Sequence, residues 1–211
     1  MSLPKLILVD PIADLCQAWG KRFDGLPHVS IVLGRFEDLP AFDCIVSAAN
    51  SFGLMDGGVD AAITRFFGGD LQRVVQRRIL DEYLGEQPVG TSMIVETGHS
   101  AHPFVAHTPT MRVPMTIART DNVYRAMWAM LIAVRRHNQT SDQRIGVMAC
   151  PGLGTRTGQV PFHEAAHQMA LAYRNSLDPP DALDWRFAER RQTEVHFGGD
   201  LGFELPRKIG S

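Results

Sequence analysis

The chain has 211 residues, of which 45% are hydrophobic and 21% are charged. This composition is typical of a globular protein with a buried core, and it excludes disorder, collagen and coiled coil as overall descriptions. The net charge of -2 gives no general electrostatic reason to bind nucleic acid, because counterion release needs a concentrated basic surface.

Apolar segments with the period of strands alternate along the chain with amphipathic segments typical of helices. In chain order the predicted elements are strand 5–9, helix 11–23, strands 28–33 and 43–49, helix 59–68, helix 70–84, strands 91–96 and 103–107, helix 120–137, strand 145–150 and helix 161–175. Such alternation predicts an α/β fold, in which helices cover both faces of a sheet.

The sequence pattern changes at Asp178. A Pro-Pro pair follows it, and the apolar residues beyond that pair no longer recur with the period of a helix or a strand. We therefore predict a domain over residues 1–177 and a C-terminal extension over 178–211, which wraps the domain or is partly mobile.

The cysteines and the apolar runs predict a cytoplasmic protein. Cys16, Cys44 and Cys150 cannot all pair with one another, and a chain of this size does not need disulfides. The longest apolar stretch, 126–134, is about half of what a bilayer crossing requires. No signal peptide is apparent, so no membrane partner is expected.

Two loops share one design, because each joins a predicted strand to a predicted helix through several glycines. The first is NSFGLMDGG over residues 50–58, and the second is PGLGTRTGQV over residues 151–160. Glycines let a backbone approach a ligand closely, and free amides at a helix N-terminus attract phosphate. Two such loops at the carboxyl edge of one sheet could hold a diphosphate between them.

These loops also carry a resemblance to a known family. The run DCIVSAANSFGLMDGGVDAAITRFFG over residues 43–68 resembles the first ligand loop of macrodomains, and PGLGTRTGQVPFHEAA over 151–166 is similar to their phosphate loop, especially in bacterial and phage members. The resemblance covers residues 34–175. It implies a three-layer α/β/α sandwich with a mixed central sheet, and it implies binding of ADP-ribose, free or attached to a macromolecule.

The resemblance also implies roles for individual residues. Asn50 would hold the distal ribose, and Asp60 would activate a water or orient that ribose. Asp56 departs from the family pattern, and its position beside the distal ribose predicts that it hydrogen-bonds ribose hydroxyls or serves as a second catalytic carboxylate. No metal or other cofactor is implied. The residues expected to bind ADP-ribose are Phe36, Asn50, Gly57, Gly58, Val59, Gly152, Leu153, Gly154, Thr155, Arg156 and Gly158.

Several positions depart from the family pattern. Asp56 replaces the first glycine of a triple and would repel phosphate, whereas Arg156 replaces a glycine and could neutralise it. The stretch 34–37 lacks the aspartate that usually holds the adenine amine, although Phe36 could stack on the adenine or line its pocket. Ser47 replaces a common asparagine.

Simpler interpretations of the same residues stay open. On these interpretations Asp60 is only a favourable acid in the first turn of a helix, Asn50 is only a turn residue and Arg156 is only a solvated charge. The main hypothesis is hydrolysis of ADP-ribose from modified macromolecules or from O-acetyl-ADP-ribose, and the alternative is a non-catalytic ADP-ribose reader.

A third hypothesis rests on residues 163–167, whose sequence HEAAH matches the pattern of zinc hydrolases. No third ligand lies at a recognisable spacing, and Glu194 and His196 are poor candidates. The site is therefore expected to hold no metal. The sequence makes no prediction of the oligomeric state.

Overall fold

Six strands form one mixed sheet in the computed structural model of the chain, which describes residues 4–195. The strands are β1 Lys5–Asp10, β2 Val29–Leu33, β3 Cys44–Asn50, β4 Met93–Glu96, β5 Phe104–Met111 and β6 Val147–Cys150. Their order across the sheet is β2-β1-β6-β3-β5-β4. The β4–β5 pair is antiparallel and the other neighbouring pairs are parallel.

Helices cover both faces of this sheet. They are α1 Ala13–Arg22, α2 Gly58–Phe67, α3 Asp70–Tyr83, α4 Asn122–Thr140, α5 Phe162–Leu177 and α6 Trp185–Val195. Across residues 4–195, none of the helices is long and apolar enough to cross a membrane.

Strand side chains alternate between two buried cores, as the period of a β-strand requires. On β1, Leu6 and Leu8 enter a core shared with α1, α4 and α5, whereas Ile7 and Val9 enter a core shared with α2 and α3. The predicted three-layer α/β/α sandwich with a mixed sheet is therefore confirmed.

Helix α6 was not predicted from the sequence. It lies against α4 through Arg191, whose Nη1 is 3.2 Å from the Tyr124 hydroxyl and whose guanidinium is 5.5 Å from the centre of the Trp128 ring. Contacts between arginine and aromatic rings leave no apolar period in the sequence. Residues 196–211 lie outside the described part of the chain, and the division at residue 177 stays a prediction.

The carboxyl ends of the parallel strands β1, β6, β3 and β5 lie at one edge of the sheet. The segments that follow β3 and β6 are the two glycine-rich loops, so strand direction alone brings them together.

Candidate functional site

A cleft of about 470 Å³ opens between the first loop, residues 50–58, and the second loop, residues 151–160. The end of β1 and the stretch 34–37 complete its walls. The cleft therefore lies where the two loops were predicted to meet.

The structure brings most of the predicted site residues to the wall of this cleft. They are Phe36, Asn50, Asp56, Gly57, Gly58, Val59, Asp60, Gly152, Gly154, Thr155, Arg156 and Gly158. The side chain of Leu153 is instead fully buried in the core beside α1, α4 and α5. A role for Leu153 in ligand binding would therefore rest on its backbone.

Asn50 organises the first loop through its side-chain amide. Its Oδ1 accepts hydrogen bonds from the backbone amides of Phe52 and Leu54, at 3.1 and 3.3 Å, and its Nδ2 donates to the Leu54 carbonyl at 2.7 Å. The turn role left open by the sequence is therefore present. Nδ2 carries a second hydrogen, which remains able to donate to a ligand.

The N-terminus of α2 faces the cleft with open space around its glycines. Gly57 and Gly58 are exposed, and a Cβ added at either position would meet no atom within 4 Å. The first amides of a helix have no carbonyl partner within the helix, and they carry the positive end of its dipole. This end of α2 can therefore accept an anion at close range.

Asp60 is buried in the first turn of α2 at the wall of the cleft, with 5% of its surface exposed. The fully buried Ser47 donates a hydrogen bond from Oγ to Asp60 Oδ1 at 2.6 Å. Burial raises the pKa of Asp60 to about 6, the Ser47 hydrogen bond opposes this shift, and the charge of Asp56 adds to it. A carboxylate that titrates near neutral pH is suited to act as a general base.

Asp10 ties the second loop to β1. Its Oδ2 accepts a hydrogen bond from the Gly152 amide at 3.3 Å, and its Oδ1 accepts one from the Ile12 amide at 3.1 Å. Sequence reasoning missed this residue and the bond from Ser47. For Asp10 a signal was available, since it ends β1 as Asn50 ends β3 and so lies at the same edge of the sheet.

Three arginines line the cleft, namely Arg35, Arg65 and Arg156, and the first two were not predicted as site residues. Arg156 and Asp56 are both exposed, and neither forms an ion pair within residues 4–195. The guanidinium of Arg156 is therefore available to a ligand, and its predicted contact with a diphosphate stays a prediction.

Phe36 packs edge-on against two other rings, with centroid distances of 6.3 Å to Phe42 and 5.6 Å to Phe66. Only 5% of its surface is exposed. The ring can therefore line a pocket, as predicted, but these contacts leave little surface for stacking on a base.

The HEAAH segment begins in the first turn of α5, away from the walls of the cleft. His163 is exposed, and His167 Nε2 is 3.3 Å from the backbone oxygen of Glu194. No group of three His, Cys, Asp or Glu side chains placed to hold a metal is found among the described residues. His196 lies outside them.

Comparisons with known proteins agree with this geometry. A family model described as "Macro domain" matches residues 46–169. An uncharacterized protein of Aquifex aeolicus is 32% identical over 147 residues, which cover 69% of this chain and 81% of that protein.

Solved macrodomain structures share the fold. The macrodomain of Mycobacterium tuberculosis DarG has a TM-score of 0.56 at 18% identity and covers 71% of this chain and 91% of its own. A glycine-to-valine mutant of the Oceanobacillus iheyensis macrodomain, solved with ADPR, has a TM-score of 0.55 at 20% identity. The match covers 77% of this chain and 88% of that macrodomain chain. Other structures of that macrodomain carry alanine in place of an aspartate or an asparagine.

The family model covers more than half of the chain, and the match to the Aquifex relative covers 69% of it. The fold, the two glycine-rich loops and the cleft between them are consistent with this match. The chain belongs to the macro domain family.

Proposed function

We propose that the cleft binds ADP-ribose and that the protein hydrolyses ADP-ribose from modified macromolecules or from O-acetyl-ADP-ribose. The observation that carries this proposal is the buried carboxylate of Asp60, with its pKa raised to about 6, at the wall of a cleft between two glycine-rich loops. A phosphate-binding loop needs no such group, whereas a hydrolase needs a base.

The diphosphate would lie between the N-terminus of α2 and the second loop. Backbone amides of both elements would donate to its oxygens, and Arg156 would add a charge-assisted hydrogen bond. In this arrangement the distal ribose would lie at the first loop, beside Asn50, Asp56 and Asp60.

The solved macrodomain of Oceanobacillus iheyensis adds support. Its structures include one with ADPR and variants at an asparagine, a glycine and an aspartate. Those three positions have the same spacing along that chain as Asn50, Gly57 and Asp60 have here.

In the proposed reaction on a modified macromolecule a water attacks C1″ of the distal ribose and gives its proton to Asp60. The bond between C1″ and the modified group breaks, and the leaving group departs with the electron pair of that bond and takes up a proton. In O-acetyl-ADP-ribose the same water would instead attack the acetyl carbonyl carbon, and the ester bond would break to give acetate and ADP-ribose. Asn50 holds the ribose through its remaining Nδ2 hydrogen, and Asp56 either accepts a hydrogen bond from a ribose hydroxyl or assists Asp60 as a base. Ser47 fixes the orientation of Asp60.

A release assay tests the proposal. Purified protein is incubated with mono-ADP-ribosylated protein and, separately, with O-acetyl-ADP-ribose, and free ADP-ribose is measured over time. Turnover of either substrate supports hydrolysis. Saturable binding of ADP-ribose without release from either substrate would contradict it and would support the alternative, a reader module.

Arg156 provides a prediction about binding. Replacing Arg156 with Ala should weaken ADP-ribose binding about tenfold, because one charge-assisted hydrogen bond to the diphosphate is lost. The effect should shrink at high salt, since the side chain is exposed. The matched control is Arg144→Ala, an exposed arginine outside the cleft. Equal affinities of Arg156→Ala and wild type would show that Arg156 does not contact the ligand.

A further inference from the structure

A short segment after β5 joins the two glycine-rich loops at one side of the cleft. This bridging segment, residues 112–117, begins where the Ser51 amide donates a hydrogen bond to the Arg112 carbonyl at 3.1 Å. It ends where the Ile117 amide donates a hydrogen bond to the Gly158 carbonyl at 2.8 Å. The segment is therefore fixed to the first loop at one end and to the second loop at the other.

The order of the strands places the bridging segment beside the proposed ribose site. Asn50 ends β3 and is paired with Met111, the last residue of β5. Paired strands lie about 4.8 Å apart and two residues span at most about 7 Å, so the Cα atom of Val113 lies within about 12 Å of that of Asn50. The stretch 34–37, which also lines the cleft, follows β2 at the opposite end of the sheet. The cleft therefore runs from that stretch, past the two loops, to the bridging segment.

The end of the cleft at the bridging segment is apolar and exposed. Pro114 of this segment and Leu54 of the first loop line the cleft. Val113 and Met115 flank Pro114 in the chain and are 45% and 49% exposed, and Leu54 is 46% exposed. Folding leaves these three side chains in water, so each gains buried apolar area when a bound molecule covers it.

The bridging segment offers no unpaired charge to a bound molecule. Arg112 is the one charged residue of its sequence. Nε and Nη2 of Arg112 donate to the two carboxylate oxygens of Glu86, at 2.7 and 2.9 Å, and the guanidinium lies 5.8 Å from the centre of the Phe52 ring. A nucleic-acid target would need cations for its phosphates, whereas this surface favours contact with an apolar side chain. The observations therefore favour a polypeptide as the modified macromolecule.

Resting on the proposed function, we propose that Leu54 and residues 113–115 form a subsite for the neighbours of an ADP-ribosylated residue in a protein, and that this subsite prefers apolar neighbours. The diphosphate and the distal ribose would occupy the cleft between the two loops, so the group attached to C1″ would leave the cleft past Asn50. On the β5 side the wall that this group meets is the bridging segment. The preferred substrate is then a modified polypeptide, because the acetyl group of O-acetyl-ADP-ribose is too small to cover these side chains.

Two mono-ADP-ribosylated peptides test the preference. They differ only in the two residues that flank the modified one, which are Leu in one peptide and Ser in the other. Wild-type protein should release ADP-ribose from the Leu peptide with a kcat/KM about tenfold higher, as expected when apolar side chains are buried. A third substrate, a mono-ADP-ribosylated DNA oligonucleotide, should give a kcat/KM below that of the Leu peptide.

Variants test whether the subsite causes the preference. Val113→Ser and Met115→Ser should each lower kcat/KM for the Leu peptide about threefold, and the double variant should reduce the ratio between the two peptides to below about twofold. The affinity for free ADP-ribose should stay at its wild-type value, because the loops are unchanged. The matched control is Leu183→Ser, which alters an exposed apolar residue outside the cleft and should change neither measurement.

Equal kcat/KM for the two peptides, or a preference that survives in the double variant, would overturn this inference and leave the proposed function standing. So would a higher kcat/KM for the oligonucleotide than for the Leu peptide, or release from O-acetyl-ADP-ribose alone. A double variant that loses affinity for free ADP-ribose would show a structural role and would also overturn it. Self-association of wild type in sedimentation that the double variant abolishes would assign the surface to a second copy of the chain, with the same consequence. Absence of release from every substrate would overturn both proposals.

Discussion

Replacing Asp60 with Asn should lower the rate of ADP-ribose release by about 10²- to 10⁴-fold, because an amide cannot accept the proton of the attacking water. The amide oxygen can still accept the hydrogen bond from Ser47, so the loop geometry should be preserved. The measurement is single-turnover release of ADP-ribose from a mono-ADP-ribosylated protein. In wild type the rate should fall as the pH drops below about 6, where Asp60 becomes protonated.

The same substitution should stabilise the fold at high pH. The pKa of Asp60 is about 6 in the folded protein and 3.8 in an ordinary environment, so the folded state binds this proton more tightly. Wild type therefore loses stability as the pH rises from about 4 to about 6, and the uncharged Asn avoids this loss. Urea unfolding should give Asp60→Asn an advantage of about 2–3 kcal/mol at pH 8 and little advantage below pH 4.

Asp70→Asn is the matched control. Asp70 is also an acid in the first turn of a helix, α3, but it is exposed, forms an ion pair with Arg73 and lies outside the cleft. This variant should release ADP-ribose at the wild-type rate and gain no stability at pH 8. If Asp60→Asn also released ADP-ribose at the wild-type rate, Asp60 would be only a favourable first-turn acid.

Replacing Gly158 with Ala should damage the second loop most severely. A Cβ at this position would lie 2.5 Å from the Gly154 carbonyl oxygen and 2.7 Å from Ile117 Cγ1. The backbone carbonyl cannot rotate away as a side chain can, so the loop must shift. We expect a loss of about 3 kcal/mol in unfolding free energy and an ADP-ribose affinity that falls by more than about tenfold.

Alanine substitutions at two other glycines serve as controls for this prediction. At Gly152 an added Cβ would meet the ends of two side chains, Leu15 Cδ2 at 2.5 Å and Thr155 Oγ1 at 2.7 Å, which can move. Gly152→Ala should therefore be less destabilising than Gly158→Ala and should still fold. Gly20 lies within α1 with no atom within 4 Å of an added Cβ, and Gly20→Ala should stabilise the protein slightly. The reverse order of stabilities would contradict the proposed role of loop geometry.

The sequence predicted the layers of the fold because apolar residues follow the strand and helix periods closely. Ile7 and Val9 alternate with Leu6 and Leu8 on β1, and this alternation separates the two cores. The sequence also predicted both loops, since glycines that follow predicted strands can be recognised without a structure. The alternation does not extend to α6, which lies against the domain through Arg191 and aromatic rings.

The supporting contacts of the site could not be predicted because they join distant parts of the chain. Asp10 reaches Gly152 across 142 positions, and Ser47 reaches Asp60 across 13. In the sequence, Arg65 cannot be distinguished from the other charged residues on exposed helix faces. Its position at the wall of the cleft follows from the placement of α2 against the sheet, which only the folded chain shows.

Binding of ADP-ribose is the central claim, and calorimetric titration of the wild-type protein tests it most directly. We expect saturable one-to-one binding, with AMP at least about tenfold weaker because it lacks the diphosphate and the distal ribose. NAD, in which C1″ is substituted, should also bind more weakly than ADP-ribose. Absence of binding, or equal affinity for AMP and ADP-ribose, would contradict a cleft that holds a diphosphate between two loops.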